Sequence, residues 1–375
     1  MRNRQSPELK TDYELLFHFL HLSLWGTKFD FSHKILESNE YENLMKIAKQ
    51  QAISGLIGNG LIKSRCKLSK YDAIDLYSNI GVLKEKNKEM NTAIIKFYKM
   101  MADYNIRLLF IKGQTLAVLY PDCYLRSPGD IDFYCHHEDI KKAKEYLKLK
   151  HIDIENLNDE KHIEFRINDI QYEMHNMLTT FAYPKHHKYW EHVVMNEILE
   201  YPFSIEINDK KIPTLAPTYN ALYIFIHIFY HFIIEGIGLR QFCDWAIFLS
   251  KYSEEIDAER LEQHLNGIGL KKAYTGLGTI LTEYIGMPEK YFPLRITDSD
   301  RRNAPILMRN IIKKGNFGHN VQYYKDHGSL HAIQYLYNIG KQTYQFYHYA
   351  PAEALWRIPN MFKWYTIKIK RILSK

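Results

Sequence analysis

The chain has 375 residues, of which 46% are hydrophobic, 25% charged and 14% aromatic, a composition that suits a folded protein with a sizeable core and excludes a disordered one. Its 50 basic and 43 acidic residues leave a formal charge of +7, which permits a polyanionic partner such as nucleic acid without indicating one. Cys66, Cys123, Cys135 and Cys243 are far apart and form no CxxC pair, so neither a zinc ribbon nor a disulfide framework is expected.

Met1 to Pro7 is followed by no apolar run with a cleavage site, and a cytoplasmic setting is the expectation. Residues 8–103 read as helical, with Met90, Ile94, Phe97, Tyr98 and Met101 at the three- and four-residue steps of one face. At 107–112 the texture changes to a short apolar strand closed by Gly113, followed by a helix-like 114–119 and a turn at Pro121-Asp122. A second strand at 130–135 leads into a helix that carries Glu138 and Asp139 in its first turn and runs to about 148. Extended segments at 151–154, 163–167 and 170–178 follow, the last two joined by Asn168-Asp169, a hairpin signal repeated at Asn208-Asp209 between 203–207 and 211–215. Beyond Pro217 helices return at 218–235, 239–252, 257–267, 273–284 and in a long run after Ser329. The 13 residues at 222–234 contain His227 and His231, too short and too polar to span a bilayer, and read as a buried helix. The expected fold is α+β, with an N-terminal helical region (1–103), a core with a mixed sheet (104–216) and a C-terminal helical domain (217–375).

Asp130 and Asp132 stand two apart on a strand, so their carboxylates share a face while Ile131 and Phe133 point into the core. Like charges this close raise one another's pKa unless a cation lies between them, and an oxygen-rich site of this kind suits Mg²⁺ or Mn²⁺. A D-x-D pair alone is also a common exposed strand edge. Here it is accompanied by Glu173, mid-strand in Ile170-Gln-Tyr-Glu-Met-His175, and three carboxylates on neighbouring strands suit divalent metal that aligns a triphosphate with an attacking oxygen. Glu173 is then ligand and candidate base.

The segment Phe110-Ile-Lys-Gly-Gln-Thr-Leu-Ala-Val-Leu-Tyr-Pro121 with Leu125-Arg-Ser-Pro-Gly-Asp-Ile-Asp-Phe133 resembles the widespread bacterial nucleotidyltransferase family of largely uncharacterised proteins, which belongs to the DNA polymerase β-like superfamily. Glu173-Met-His175, His227 with His231, Arg240 with Asp244, and Gly315-Asn-Phe-Gly-His-Asn320 resemble its later motifs, so the likeness covers roughly 51–320. It implies a polymerase β-like core in which Asp130, Asp132 and Glu173 hold metal. Lys112, Gly113, Gln114, Arg126, His175, Arg240 and Asp244 then line the nucleotide. Glycine at 113 lets backbone N–H groups approach phosphate, and Lys112 and Arg126 supply positive charge. Two departures stand out: Gln114 occupies the usual serine position, and 16 residues separate Gly113 from Asp130, more than the superfamily usually has.

Four features keep two readings each. His227 and His231 suit packing beneath the core or a cleft wall, and zinc is not expected because Ile228 replaces the HExxH acid. Arg240 and Asp244 suit a helical ion pair or a nucleotide-facing arginine oriented by its acid. The 315–320 segment suits a ligand loop or a turn with an aromatic plug, and the basic run from Trp356 to Lys375 suits a solvated helix face or a contact with membrane or nucleic acid. The functional expectation is transfer of a nucleoside monophosphate from a nucleoside triphosphate to an unidentified acceptor, with pyrophosphate released. A nucleotide-binding regulatory module with little turnover, or a phosphotransferase, are the alternatives.

Overall fold

The computed structural model describes residues 13–27, 31, 33–155, 162–234, 236–316, 340, 346–357 and 359. Among the described residues, four helices come first: α1 (Glu14–Trp25), α2 (Ser38–Gln50), α3 (Ser54–Ser64) and α4 (Lys70–Ala102). α1 buries Leu16, Phe19 and Leu20 and crosses α3 at Gly60, where a Cβ would lie 2.1 Å from the carbonyl oxygen of Phe19, so glycine sets the approach of the two helices. α4 begins at Ser69, whose hydroxyl accepts from the Asp72 N–H, and it turns Met90, Ile94, Phe97 and Met101 toward a sheet.

That sheet contains β1 (Leu108–Ile111), β2 (Ile131–Cys135), β3 (Ile154–Glu155), β4 (His162–Ile167) and β5 (Ile170–His175) in the order β1-β2-β5-β4-β3. β2 and β5 are parallel and the other pairs antiparallel, so the sheet is mixed and the chain is α+β, as expected. A short helix α5 (Gln114–Ala117) follows β1, and α6 (Ile140–Leu149) follows β2. Asn168 and Asp169 turn β4 into β5 with φ of +48° and +62°, the consecutive left-handed pair of a type I′ turn. Asn208 and Asp209, at +46° and +60°, do the same between β6 (Phe203–Ile207) and β7 (Lys210–Thr214).

Alternation then sorts the side chains. Ile131, Phe133, Ile163, Phe165, Tyr172 and Met174 belong to one apolar core with Phe97 of α4, whose ring centroid lies 5.0 Å from that of Phe133 and 4.7 Å from that of Tyr172. The intervening residues, among them Asp132, Glu173 and His175, occupy the opposite face.

The C-terminal helices cover that face. They comprise α7 (Pro184–Tyr189) and α8 (Met195–Glu200) joined by a π turn (Trp190–Val194), then α9 (Pro217–Ile234), α10 (Leu239–Lys251), α11 (Ala258–Gly267), α12 (Lys271–Glu283) and α13 (Asp298–Lys314). α9 is the buried helix read from 222–234, and no described helix is long and apolar enough to cross a membrane. The sequence expectations include no helix at 184–200 or 298–314. A π turn shifts the apolar face within the first, whereas the second runs unbroken through Pro305 with Ala304, Leu307, Met308, Ile311 and Ile312 on its buried face, its start secured by a capping box between Thr297 and Asp300.

The first and last helical regions share one apolar cluster, in which Leu20, Leu56 and Ile57 join Phe225, Trp245 and Leu277. Trp25 donates to the Ile285 carbonyl at 2.7 Å, and the Leu239 N–H donates to Gln51 Oε1 at 3.1 Å. Of the 315–320 motif only Gly315 and Asn316 are described. Phe317 to Asn320, nearly all of the run after Ser329 up to 345, the basic stretch 360–375 and residues 1–12 lie outside the described residues.

Candidate active site

Lys112 and Gly113 end β1 with successive positive φ values of +57° and +50°. At Gly113 the ψ of −123° takes the backbone into a region open to glycine, and a Cβ there would lie 3.4 Å from the Asp130 carbonyl oxygen. This reversal sends the Lys112 ammonium back over the sheet to Asp132 Oδ1, 2.8 Å away. Gln114 turns the other way: it is buried against α4, where its Nε2 donates to Asn91 Oδ1 at 2.6 Å. Asn87, one turn earlier on α4, donates to the carbonyls of Tyr124 and Arg126, each at 3.0 Å, and so pins the loop that leads to Asp130.

Strand register builds the acidic row. Asp132 pairs with Glu173 across the parallel β2–β5 step, and Glu173 pairs with Glu164 across β5–β4. His175 Nε2 lies 3.0 Å from Asp132 Oδ1 and 3.6 Å from Glu173 Oε1. Lys112 and His175 both engage Asp132 Oδ1. One ligand atom each from Asp132, Glu173 and His175 lies within 4.8 Å of the others, the only such group of three among the described residues. Asp130 sits just before β2 and lines the same cavity outside that group.

Electrostatics follow from the crowding. Burial and the neighbouring Asp132 push the Glu173 carboxyl far above the ordinary range, and Asp132, with burial, raises Asp130. Burial would raise Asp132 too, but the Lys112 ammonium and the His175 bond hold it well below. Burial lowers His175 against the pull of Asp132, which favours a neutral imidazole with a lone pair to offer. Burial opposes the charge on Lys112, yet Asp132 raises its pKa above the ordinary value. Three carboxylates thus face two cations, Lys112 and Arg240, and the acid excess is balanced by retained protons. Two carboxylate oxygens and one imidazole nitrogen are a donor set that suits a divalent cation, which would remove that need.

The opposite wall comes from α9 and α10. Arg126 is buried and its fork closes on Asp244, Nε to Oδ1 at 2.7 Å and Nη2 to Oδ2 at 2.9 Å, while the Tyr120 hydroxyl donates to the same Oδ1 at 2.7 Å. Asp244 is therefore paired across 118 residues of chain and not with Arg240, the helical ion pair weighed from sequence. Arg240 donates from Nη1 to the Ser127 carbonyl at 3.1 Å, and its buried Nε has no partner. Burial and the nearby Arg126 lower its pKa. His227 and His231 stand edge to face, centroids 4.3 Å apart, and line the cavity; burial together with Lys112 and His231 keeps His227 neutral.

The cavity enclosed is about 230 Å³. It gathers Lys112, Gly113, Arg126, Asp130, Asp132, Glu173, His175, Arg240 and Asp244 from the sequence-derived set and leaves out Gln114. Sequence reasoning passed over Tyr223, which meets the Lys112 ammonium, and over Glu164 and His162, which extend the polar row onto β4. The alternation in His162-Ile-Glu-Phe-Arg-Ile carried that signal, since it places His162 and Glu164 on the face of Glu173.

A family model described as an uncharacterised nucleotidyltransferase matches residues 37–286, two thirds of the chain, and spans the glycine turn, the acidic strands and the α9–α10 wall. Among solved structures, the chain is similar to an antigenic nucleotidyltransferase-like protein from Paracoccidioides brasiliensis at 14% identity and a TM-score of 0.33, covering 52% of this chain and 93% of that one. No curated protein matches significantly. From the family match over this cavity and its flanking helices, the chain belongs to the uncharacterised nucleotidyltransferase family.

Proposed function

We propose that the protein is a metal-dependent nucleotidyltransferase that moves a nucleoside monophosphate from a nucleoside triphosphate to an acceptor and releases pyrophosphate. The observation that carries this reading is the convergence of Asp132, Glu173 and His175 within 4.8 Å at one wall of a cavity that also holds the Gly113 turn, Lys112 and Arg240. Asp132 and Glu173 would hold Mg²⁺ or Mn²⁺ with His175 as ligand or as orienting partner, and Asp130 would add a carboxylate beside them. Bound there, the ion supplies Lewis acidity to the phosphoryl group and charge neutralisation for the leaving pyrophosphate. Lys112 and Arg240 neutralise phosphate oxygens, and glycine at 113 removes the side chain that would keep a phosphate from the backbone. Arg126 and Asp244 hold the wall in place. Residues 104–216 form the catalytic unit in this reading, with 1–103 and 217–375 as the helical regions that close it.

The test is pyrophosphate release from each of the four nucleoside triphosphates: the expected result is release that depends on Mg²⁺ or Mn²⁺ and is lost in an Asp130→Ala/Asp132→Ala double variant that retains its fold. A second reading, a nucleotide-binding module with little turnover, is favoured by the burial of Gln114, which leaves no hydroxyl side chain after the glycine to meet phosphate. Tight nucleotide binding with no pyrophosphate release from the wild type would decide for it. An acceptor gaining the mass of a phosphate instead of a nucleotide would indicate phosphoryl transfer.

A further inference from the structure

A second cavity, about 600 Å³, adjoins the first and shares with it Glu173, His175, Tyr223, His227 and His231. From these shared residues the two spaces run in different directions. One leads to Lys112, Gly129 and Arg240, the other to His162, Thr179, Thr180 and Arg357. A transferase needs donor and acceptor to meet at one point, and the carboxylate of Glu173 and the imidazole of His175 are that point here.

The outer loop of the second cavity is firmly held. Glu353, from the helical residues 351–357, is buried and accepts hydrogen bonds from the Ala182 N–H at 2.8 Å, the Tyr183 N–H at 3.2 Å and the Tyr230 hydroxyl at 3.1 Å. Its other oxygen contact is His186 Nδ1 at 2.9 Å. Such a preorganised wall suits recognition of a defined small ligand, and the volume falls within the range of about 300–1,000 Å³ typical of small-molecule sites. Among the described lining residues, Glu173 is the one carboxylate and lies at the shared end, whereas Arg357 lines the cavity together with the hydroxyls of Thr179 and Thr180. Phe181 and Ile226 add apolar surface.

We propose that this second cavity is the acceptor site and that it takes a small molecule carrying both a hydroxyl group and an anionic group, phosphate or carboxylate. The proposal rests on the nucleotidyltransferase reading above. The acceptor hydroxyl oxygen attacks the α-phosphorus of the nucleotide, a new O–P bond forms, and the bond from that phosphorus to the pyrophosphate oxygen breaks with its electron pair. The hydroxyl proton passes to solvent. The anionic group is anchored at the Arg357 end, which points the hydroxyl toward Glu173 and the shared wall.

The test uses the full chain with Mg²⁺, labelled nucleoside triphosphate and two matched probe pairs, glucose 6-phosphate against glucose and glycerol 3-phosphate against glycerol, with products identified by mass. Binding of a non-hydrolysable triphosphate analogue is measured in parallel. The expected result is nucleotidylation of a phosphorylated probe at least tenfold above its neutral partner. Thr180→Trp, which fills the cavity, should reduce this transfer more than tenfold, and Arg357→Gln should bring the charged-to-neutral ratio close to one. In both variants the analogue should bind within twofold of wild type and the melting profile should be retained. The proposal is overturned, with the donor site intact, if the analogue binds but no phosphorylated probe is modified, if charged and neutral probes react equally, if only polypeptide or RNA ends are labelled, or if Thr180→Trp leaves transfer unchanged. Failure of the wild type to bind the analogue at all would instead bring down the donor reading and this one with it.

Discussion

Asp244→Asn should be among the most damaging single substitutions outside the Asp132, Glu173 and His175 cluster. Asp244 and Arg126 are each 5% exposed, their two hydrogen bonds are 2.7 and 2.9 Å long, and Tyr120 donates a third to the same carboxylate. The neutral amide leaves the Arg126 guanidinium buried without a counter-charge and turns an NH₂ toward one of its former donors. Arg240, which already feels Arg126 as an unfavourable neighbour, then loses the Asp244 charge that offsets it and keeps only Asp130 as a nearby acid. Removing one partner of a buried pair costs about 3–5 kcal/mol, and the acceptor oxygen that Asn retains puts the expectation at about 3 kcal/mol. Urea denaturation with linear extrapolation measures it. The double variant Arg126→Met/Asp244→Leu, which removes both charges and fills similar volume, should recover stability to within about 1–2 kcal/mol of wild type. A loss below about 1 kcal/mol for Asp244→Asn, or a double variant as unstable as the single one, would refute the assignment of this pair as the clasp between the Arg126 loop and α10.

Four further outcomes follow from the site. Burial and Asp132 push the Glu173 carboxyl up to about 8, so metal must displace its proton, and Mn²⁺ affinity should tighten by up to about tenfold per pH unit between pH 5 and 8; a flat profile by calorimetry contradicts the ligand role. The same shift has a stability sign: the metal-free fold binds that proton more tightly than the unfolded chain, so Glu173 contributes stability that is lost as pH rises from about 4.5 toward 8, and added metal should restore it. Gly113→Ala forces a side chain into a φ of +50° and ψ of −123° and should cost about 1–3 kcal/mol together with weaker nucleotide binding, whereas a neutral effect on both would mean that the turn relaxes freely. Gln114→Ser should lose about 1 kcal/mol through its bond to Asn91 and leave nucleotide affinity within twofold; a tenfold change would place that side chain at the ligand after all.

The glycine turn, the period-two acids and the two Asn-Asp hairpins were legible in the sequence because each is a local rule: a backbone conformation, a face, a turn type. The D-x-D pair marked the right strand, and Glu173 marked its neighbour. What stayed hidden was set by long-range register and burial. Nothing local says that β5 lies parallel to β2 with Glu173 opposite Asp132, and hence that His175 comes within 3.0 Å of that carboxylate. The four-residue spacing of Arg240 and Asp244 suggested a pair within one helix, but the Arg126 fork, arriving from a distant loop, offers two aligned donors and wins. The resemblance put Gln114 beside the nucleotide, and only the position of Asn87 and Asn91 on α4 reveals that its amide is drawn away into the core. Helix 184–200 escaped because a π turn blurs its periodicity, and 298–314 because an internal proline argues against a helix although its apolar residues keep helical spacing.

The clasp between Arg126 and Asp244 also orders events in time. A ribosome delivers the acidic strands and the Arg126 loop long before it delivers α10, so during synthesis the guanidinium must stay hydrated and the cavity must remain half-built, with one wall missing. A fragment ending at residue 216 would be held in that immature state, lacking Tyr223, Arg240 and the counter-charge for Arg126. The cavity is thus complete only once nearly two thirds of the chain has been made.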